Sequence, residues 1–313
     1  MEKAINSVLS QTYREFELIV VNDGSTDDSL NVVQTLFKSP LGDLGAFSPS
    51  SGGWGVLNQK NQGVSIARNN GVKVAKYDYI AFLDADDWWE PTYFEEMKLL
   101  IEEFPQAGIY GSGYFLIKNG IKRMAPVGVE GNFKKGEINY CRTYSNRLCM
   151  PLWTGATIIR KTIFESEHGF RPSLKLGEDF DLWIRVVLKY PVVFLNKPLS
   201  NYNQDVENIS RGVVHNKIYI PETHFIFNLN YLSRSELANP DLKKLLDLLR
   251  VYTLERYRLQ QAYPVFYKKE IDKVDFSHQA LKVRLFYFLP IPILLVWYEL
   301  KKNLGKIYKL FCR

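Results

Sequence analysis

Tyr79-Ile80-Ala81-Phe82-Leu83-Asp84-Ala85-Asp86-Asp87 is an unbroken apolar run that ends in three clustered carboxylates. Strands buried on both faces read as continuous hydrophobic runs, and ligands of open α/β sheets bind just beyond the strands' carboxyl ends. The acids therefore stand where a ligand would. Like charges this close repel each other unless a cation sits among them. A hard divalent ion with oxygen ligands, Mg²⁺ or Mn²⁺, suits such a set, and an ion of this kind mostly serves a phosphate. The alternative is that Asp87 and its neighbours start the helix announced by Glu90-Pro91 and continued amphipathically over 93–104, since acidic residues and an N1 proline favour helix starts. That could hold for Asp87 while Asp84 and Asp86 still bind a ligand.

Upstream of this strand, Ala4, Ile5, Val8 and Leu9 fit one face of a helix, and 17–21 reads as a short strand. Asn22-Asp23-Gly24-Ser25-Thr26-Asp27-Asp28 is rich in turn formers, with Thr26 or Asp27 placed to cap a helix through Leu30, Val33 and Leu36. A loop crowded with Gly, Ser and Pro fills 39–55. Val56-Leu57-Asn58 reads as another strand, and 61–71 as a glycine turn feeding a helix. Alternating strands and helices with short connections predict a doubly wound, mostly parallel, Rossmann-like sheet.

Downstream, 108–118 alternates aromatic and small residues as a strand would, 133–146 is less readable, and 156–160 is strand-like. Phe180, Trp183, Ile184, Val187 and Leu188 recur at helical spacing within 178–190, and 192–195 returns to the sheet. From about Lys217 the character changes to long helical segments without strand signals, 242–263 among them. The expected division is an α/β domain over 1–215 and a C-terminal helical appendage over 216–313.

Bulk properties narrow the class. A chain of 313 residues with 46% hydrophobic and 24% charged residues is an ordinary globular protein. Its 14% aromatic content is high and of the kind that goes with binding surfaces. The net charge of +6 is too small and diffuse to name a partner, and no nucleic acid is expected. Cys141, Cys149 and Cys312 show no metal-ligand spacing, so they read as reduced thiols of a reducing compartment. Met1-Glu2-Lys3-Ala4-Ile5 carries no charged-then-apolar leader, which argues against export.

Four motifs in order carry a resemblance: Val20-Val21-Asn22-Asp23-Gly24-Ser25-Thr26-Asp27, Asn61-Gln62-Gly63-Val64-Ser65-Ile66-Ala67-Arg68-Asn69, Phe82-Leu83-Asp84-Ala85-Asp86-Asp87 and Gly177-Glu178-Asp179-Phe180-Asp181-Leu182-Trp183. Together they resemble family 2 glycosyltransferases of the GT-A fold over about residues 1–200. The resemblance implies transfer of a sugar from a nucleotide diphosphate, a UDP-sugar by expectation, to an acceptor hydroxyl with inversion at the anomeric carbon. It implies that Asp23 accepts a hydrogen bond from the nucleobase; an Asx-turn with Gly24 is the alternative. Arg68 would reach the base or the diphosphate. Asp84 and Asp86 form the family's D-x-D, with Asp86 the direct ligand of a divalent metal and Asp84 a second ligand or a ribose contact.

The same resemblance makes Asp179 the general base and Glu178 its support, with an acidic helix start as the alternative. Asp181, a third acid, exceeds what capping requires. Trp153-Thr154-Gly155 matches the segment against donor sugar and acceptor, where Trp153 would stack on a sugar or else fill the core. In 201–215, Arg211 or His215 would touch the diphosphate or the metal. Two departures stand out. Family members begin with a strand V-S-V-I-I-P-x-Y-N before the first helix, whereas this sequence starts after it, through a misassigned start codon or as a natural fragment. The glycine-rich stretch 39–55 is the other.

The tail holds fourteen uncharged, largely apolar residues, 285–298, flanked by Lys282, Arg284, Lys301 and Lys302. About 20 are needed to span a bilayer. The segment is either a helix docked on the protein or one lying in the headgroup region of an anionic leaflet. The second would suit a saccharide or lipid-linked acceptor at the inner face of a bacterial cell membrane, as in surface polysaccharide assembly. A sugar-phosphate nucleotidyltransferase would want a basic glycine-rich loop that is not visible and leaves Glu178-Asp179 unexplained. A non-catalytic, membrane-associated glycosyltransferase-like chain is the third possibility.

Overall fold

Ala4, Ile5 and Val8 are buried at helical spacing, and the chain opens on helix α1 (Glu2–Leu9). The computed structural model describes residues 1–37, 53–205, 217–294 and 296, within two units, Met1–Val214 and His215–Arg313. Arg211, His215, Cys312 and most of the 39–55 stretch lie outside the described residues.

In unit 1, α1 is followed by β1 (Leu18–Asp23), α2 (Ser29–Phe37), β2 (Trp54–Gln59), α3 (Val64–Val74), β3 (Tyr79–Ala81) and β4 (Trp88–Trp89). Then come α4 (Tyr93–Glu103), β5 (Ile109–Lys118), β6 (Ile121–Met124), β7 (Lys135–Glu137), α5 (Tyr140–Arg147), β8 (Thr157–Arg160), α6 (Lys161–Ser166), α7 (Glu178–Val187) and β9 (Val192–Asn203). Strands β1 and β2 pair in parallel, Leu18 opposite Trp54 and Asp23 opposite Gln59. The larger sheet runs β3-β8-β5-β9-β4, with β6 on β5 and β7 on β9. Its longest ladder, β5 with β9, is parallel, from Ile109 opposite Val192 to Ile117 opposite Asn203. The shorter flanking ladders are antiparallel.

The β5/β9 register slips on either side of Gly113. Pro198 has no amide to donate there, and a Cβ on Gly113 would sit 3.1 Å from the Lys197 carbonyl. The two sheets meet through side chains. Leu18 of β1 and Tyr79 and Ala81 of β3 pack in one cluster with buried Val8, Met97, Leu100 and Tyr110. Trp89 stacks on Tyr93 at 4.5 Å and donates from Nε1 to the Gly155 carbonyl at 2.7 Å, fixing β4 against the turn before β8.

Two local expectations are corrected. Glu90-Pro91 does not begin the helix. Trp88-Trp89 pairs with β9, and α4 starts at Tyr93 after the N-cap Thr92. Asp87 is not a helix start either: it is buried, and its Oδ1 accepts the Asn203 amide at 2.7 Å.

Unit 2 contains α8 (Ser233–Ala238), α9 (Pro240–Leu259), α10 (Pro264–Ile271) and α11 (Leu281–Phe288), with no strand among its described residues. Asn239 caps α9 by accepting the Leu242 amide, and Pro240 occupies the first turn, where a missing N–H costs nothing. Leu242, Leu245, Leu246 and Leu254 supply its buried face. Arg250 is buried among Glu236, Asp247 and Glu270, and Lys243 on Glu236 and Asp247 together with Lys273 on Glu270 completes the compensation of the three acids. Among the described residues, no helix is long and apolar enough to cross a membrane.

Candidate active site

The carboxyl end of β1 is anchored across to the start of α3. Asp23 Oδ1 accepts from Gln59 Nε2 at 2.7 Å and from the Gln62 amide at 2.8 Å, while Oδ2 accepts the Gly63 amide at 2.8 Å. These three bonds, and not the Asx-turn that was the alternative for Asp23, occupy its carboxylate, while its neighbour Asn22 accepts the Ser25 amide, three residues on, through Oδ1. Gly24 has φ +72°, and a Cβ there would meet the Asn61 nitrogen at 2.6 Å, so only glycine lets these backbones approach. Before α2, Asp27 Oδ1 accepts the Ser29 amide two residues on, while the Asp28 carbonyl accepts the first helical amide, that of Val32, so the cap position falls one residue beyond the expected Thr26 or Asp27.

Helix α3 carries Arg68 into the centre of the acidic groups. Its Nη2 donates to Asp84 Oδ1 at 2.7 Å and its Nη1 to Glu178 Oε1 at 3.1 Å. Next to it, Asn69 clamps Phe170 from both sides, donating to its carbonyl at 2.7 Å and accepting its amide at 2.9 Å. Sequence reading assigned Asn69 no role; its only signal was its place inside the second motif. The clamp fixes the loop that leads into α7.

Asp84, Asp86 and Asp87 offer carboxylate oxygens that all lie within 4.8 Å of one another. Hard oxygen donors converging in this way fit a divalent cation. The site as a whole is acid-rich: Glu178 and Asp179 sit at the N-terminus of α7, following Gly177 at φ +77°. Burial, reinforced by Asp179 and opposed by Arg68, pushes the Glu178 carboxyl up to about 7. Burial also raises Asp179, against the opposing pull of the Phe180 amide, which donates to its Oδ1 at 2.7 Å, and of Arg68. Thr154 Oγ1 lies 3.4 Å from Asp179 Oδ2. Asp181 belongs to a different arrangement. It is fully buried and ion-paired to Arg171 at 3.1 Å and Arg185 at 2.9 Å, so the third acid holds the loop before α7.

Trp153 is half-buried and packs on Tyr114 and Tyr202, with ring centroids 5.1 and 4.8 Å away. Gly155 makes that placement possible, because a Cβ on it would lie 2.6 Å from the indole ring. Its carbonyl accepts from Trp89 Nε1 and from Ser200 Oγ, both at 2.7 Å. The structure thus brings Arg68, Asp84, Glu178 and Asp179 into one connected group, places Asp86 beside it, and gives Asp23 and Gly155 backbone-holding contacts.

The model of glycosyl transferase family 2 matches residues 1–163. The chain belongs to this family. Among its relatives, the UDP-Glc:alpha-D-GlcNAc-diphosphoundecaprenol beta-1,3-glucosyltransferase WfaP of Escherichia coli is 29% identical over 188 residues, covering 59% of this chain and 64% of that protein. Glycosyltransferase GlyA of Streptococcus pneumoniae is 29% identical over 226 residues, 67% of this chain and 30% of that one. The chain spans 30–36% of the length of the first curated relatives it matches. The crystal structure of Staphylococcus aureus TarS 1–349 with UDP-GlcNAc superposes with a TM-score of 0.58 at 20% identity, covering 91% of this chain and 73% of TarS. This family 2 chain therefore has the GT-A type of α/β fold that its motifs implied.

Proposed function

We propose that this chain transfers a sugar from a nucleotide diphosphate, a UDP-sugar, to an acceptor hydroxyl with inversion at the anomeric carbon. The observation that carries the reading is Arg68, which ties the D-x-D carboxylate Asp84 to the Glu178-Asp179 pair on α7. A single cation in contact with both the acid proposed for the donor side and the pair proposed for the acceptor side supports a displacement reaction at one site. TarS was solved with UDP-GlcNAc, and WfaP is named for a UDP-Glc donor; both support the donor class.

In this reading Asp23 accepts from the nucleobase with a lone pair left over from its three present bonds, since a carboxylate has about four acceptor sites. Asp86 and Asp84 would hold a Mg²⁺ or Mn²⁺ ion, which when bound supplies charge compensation for the departing diphosphate. Asp179, its proton affinity raised by burial, takes the proton of the acceptor hydroxyl as the new glycosidic bond forms and the bond to the diphosphate breaks. Glu178 supports it. Trp153 would stack on the sugar, and Gly155 leaves room for that ring. Arg211, outside the described residues, is proposed as a further diphosphate contact.

The acceptor is proposed to be a saccharide or a lipid-linked saccharide, with the chain working at the inner face of the cell membrane. The diphosphoundecaprenol in the name of WfaP supports a lipid-borne acceptor. The catalytic unit is taken as 1–215 and the helical region as 216–313. The test is release of free nucleotide from a panel of nucleotide sugars in the presence of Mn²⁺, repeated in EDTA. Release from a UDP-sugar that EDTA abolishes is expected. Release unaffected by EDTA would remove the metal from the reading, and absence of turnover with every donor and acceptor offered would remove the transfer.

A further inference from the structure

Unit 2 carries the positive charge of the protein. Residues 215–313 hold 17 Lys and Arg against 9 Asp and Glu, whereas residues 1–214 hold 23 against 25. Within unit 2 the acids are unevenly spread as well: the stretch 276–298 contains none, yet it includes Lys282 and Arg284. The excess that reads as diffuse along the whole sequence is therefore local, and a local basic field attracts an anionic surface.

Helix α11 lies in that acid-free stretch, and its inner face is fixed. Tyr287 is buried, its hydroxyl donates to the Val251 carbonyl of α9, and its ring lies 5.5 Å from that of Phe276. With that face held, Leu281, Leu285 and Phe288 are turned outward and are 70%, 49% and 70% exposed. At about 100° per residue these three fall within roughly 60° of the helix circumference, with Lys282 to one side of them and Arg284 to the other. Both partners of Arg284 are carbonyls, of Gln279 and Ser277, which leave its charge in place. Just downstream, Ile293 and Val296 are 52% and 61% exposed. A helix of a soluble protein normally turns such a stripe inward. An outward apolar stripe between basic residues is the pattern of a helix that lies in the headgroup region of an anionic bilayer.

We propose that the exposed stripe of α11 docks on an anionic lipid surface, with Leu281, Leu285 and Phe288 among the acyl chains and Lys282 and Arg284 at the headgroups. The inference rests on the membrane-face location proposed above and supplies the contact that makes it. The test is flotation of the full chain with vesicles of phosphatidylcholine alone and with mixed vesicles of phosphatidylcholine and phosphatidylglycerol, without sugar donor or acceptor. Binding to the mixed vesicles that weakens as salt is raised is expected, with binding to the neutral ones weaker by about tenfold or more. Leu285→Ser combined with Phe288→Ser should lower binding to the mixed vesicles by about tenfold or more while leaving the thermal midpoint in place, because both side chains are exposed. Lys282→Gln should lower it by about fivefold. In the unmodified chain, amide exchange over 281–288 should slow when mixed vesicles are added.

Equal binding to both kinds of vesicle, or binding unmoved by Lys282→Gln, would overturn the assignment of the basic residues to the headgroups. No binding at all, or amide exchange over 281–288 that bound vesicles leave unchanged, would overturn α11 as the docking face. If the double serine variant turns an oligomer into a monomer while vesicle binding persists, the stripe meets a second copy of this chain and the proposal fails. The exchange measurement decides the location on the unmodified protein even if the double variant does not fold. Nucleotide release with a soluble acceptor, assayed without vesicles, reports on the transfer reading alone.

Discussion

Arg68 and Asp84 lie 2.7 Å apart, Nη2 to Oδ1, with the guanidinium 12% and the carboxylate 42% exposed. The same guanidinium holds Glu178 at 3.1 Å. Removing the cation leaves a buried acid and a half-exposed one facing each other without compensation. Arg68→Met should therefore destabilise unit 1 by about 3 kcal/mol, the lower end for a broken buried pair because solvent still reaches Asp84. Denaturant unfolding measures this, and an unchanged midpoint would mean that the bridge contributes nothing to the fold.

Glu178 makes stability depend on pH in a definite direction. Its carboxyl titrates near 7 in the folded chain against an ordinary 4.5. Between those values the folded state binds more protons than the unfolded one, so stability falls as pH rises from about 4.5 to about 7 and then levels, by an amount on the order of 3 kcal/mol. Glu178→Gln should flatten that slope. Parallel stability curves for the two proteins over this window would show that Glu178 does not titrate there.

Asp179→Asn keeps the size of the side chain and the bond from the Phe180 amide but removes the proton acceptor. Transfer should fall by about a hundredfold or more, with nucleotide affinity unchanged. Single-turnover kinetics beside calorimetric titration of UDP separates the two. Loss of UDP affinity with transfer intact per bound nucleotide would make Asp179 a structural residue.

Asp86→Ala removes one of the three convergent carboxylates. UDP titrated with and without Mn²⁺ should then give the same affinity, whereas the unmodified chain should bind more tightly with the ion. A persisting metal effect would assign the ligation to other groups.

Gly155→Ala places a methyl group 2.6 Å from the Trp153 ring. The indole must turn away from Tyr114 and Tyr202, at a cost of about 1–3 kcal/mol for overpacking. A shift in tryptophan emission together with a lower thermal midpoint is expected. Unchanged values for both would show that the turn absorbs the methyl by itself.

The elements that sequence made visible are those whose own residues carry the signal. The apolar run before Asp84, the helical spacing of Phe180, Trp183 and Ile184, and the turn chemistry at Asn22 to Gly24 each belong to one short stretch. Strand β9 was expected over 192–195 and continues to Asn203; polar Asn196-Lys197 and Pro198 interrupt its period, and only the partner strand shows that pairing resumes after a slip. The acids of the candidate site were legible as types, but their partners were not. Arg68 finds Asp84 16 residues away and Glu178 110 residues away. Asp181 read as an acid beyond what capping requires for the same reason, because its pairing with Arg171 and Arg185 shows only in the fold.

The β5/β9 ladder carries a consequence for how the molecule is made. The segment that matches the family, residues 1–163, stops before α7 and β9. Cut there, the chain would lose the parallel partner of β5, the Asn203 amide that fixes Asp87, and both carboxylates of the α7 pair. The stretch that defines kinship is thus smaller than the stretch that completes the β5/β9 ladder. During synthesis the central sheet closes only after residues near 203 have left the ribosome, and until then β5 presents an open edge, the kind of surface on which chaperones and misfolding compete.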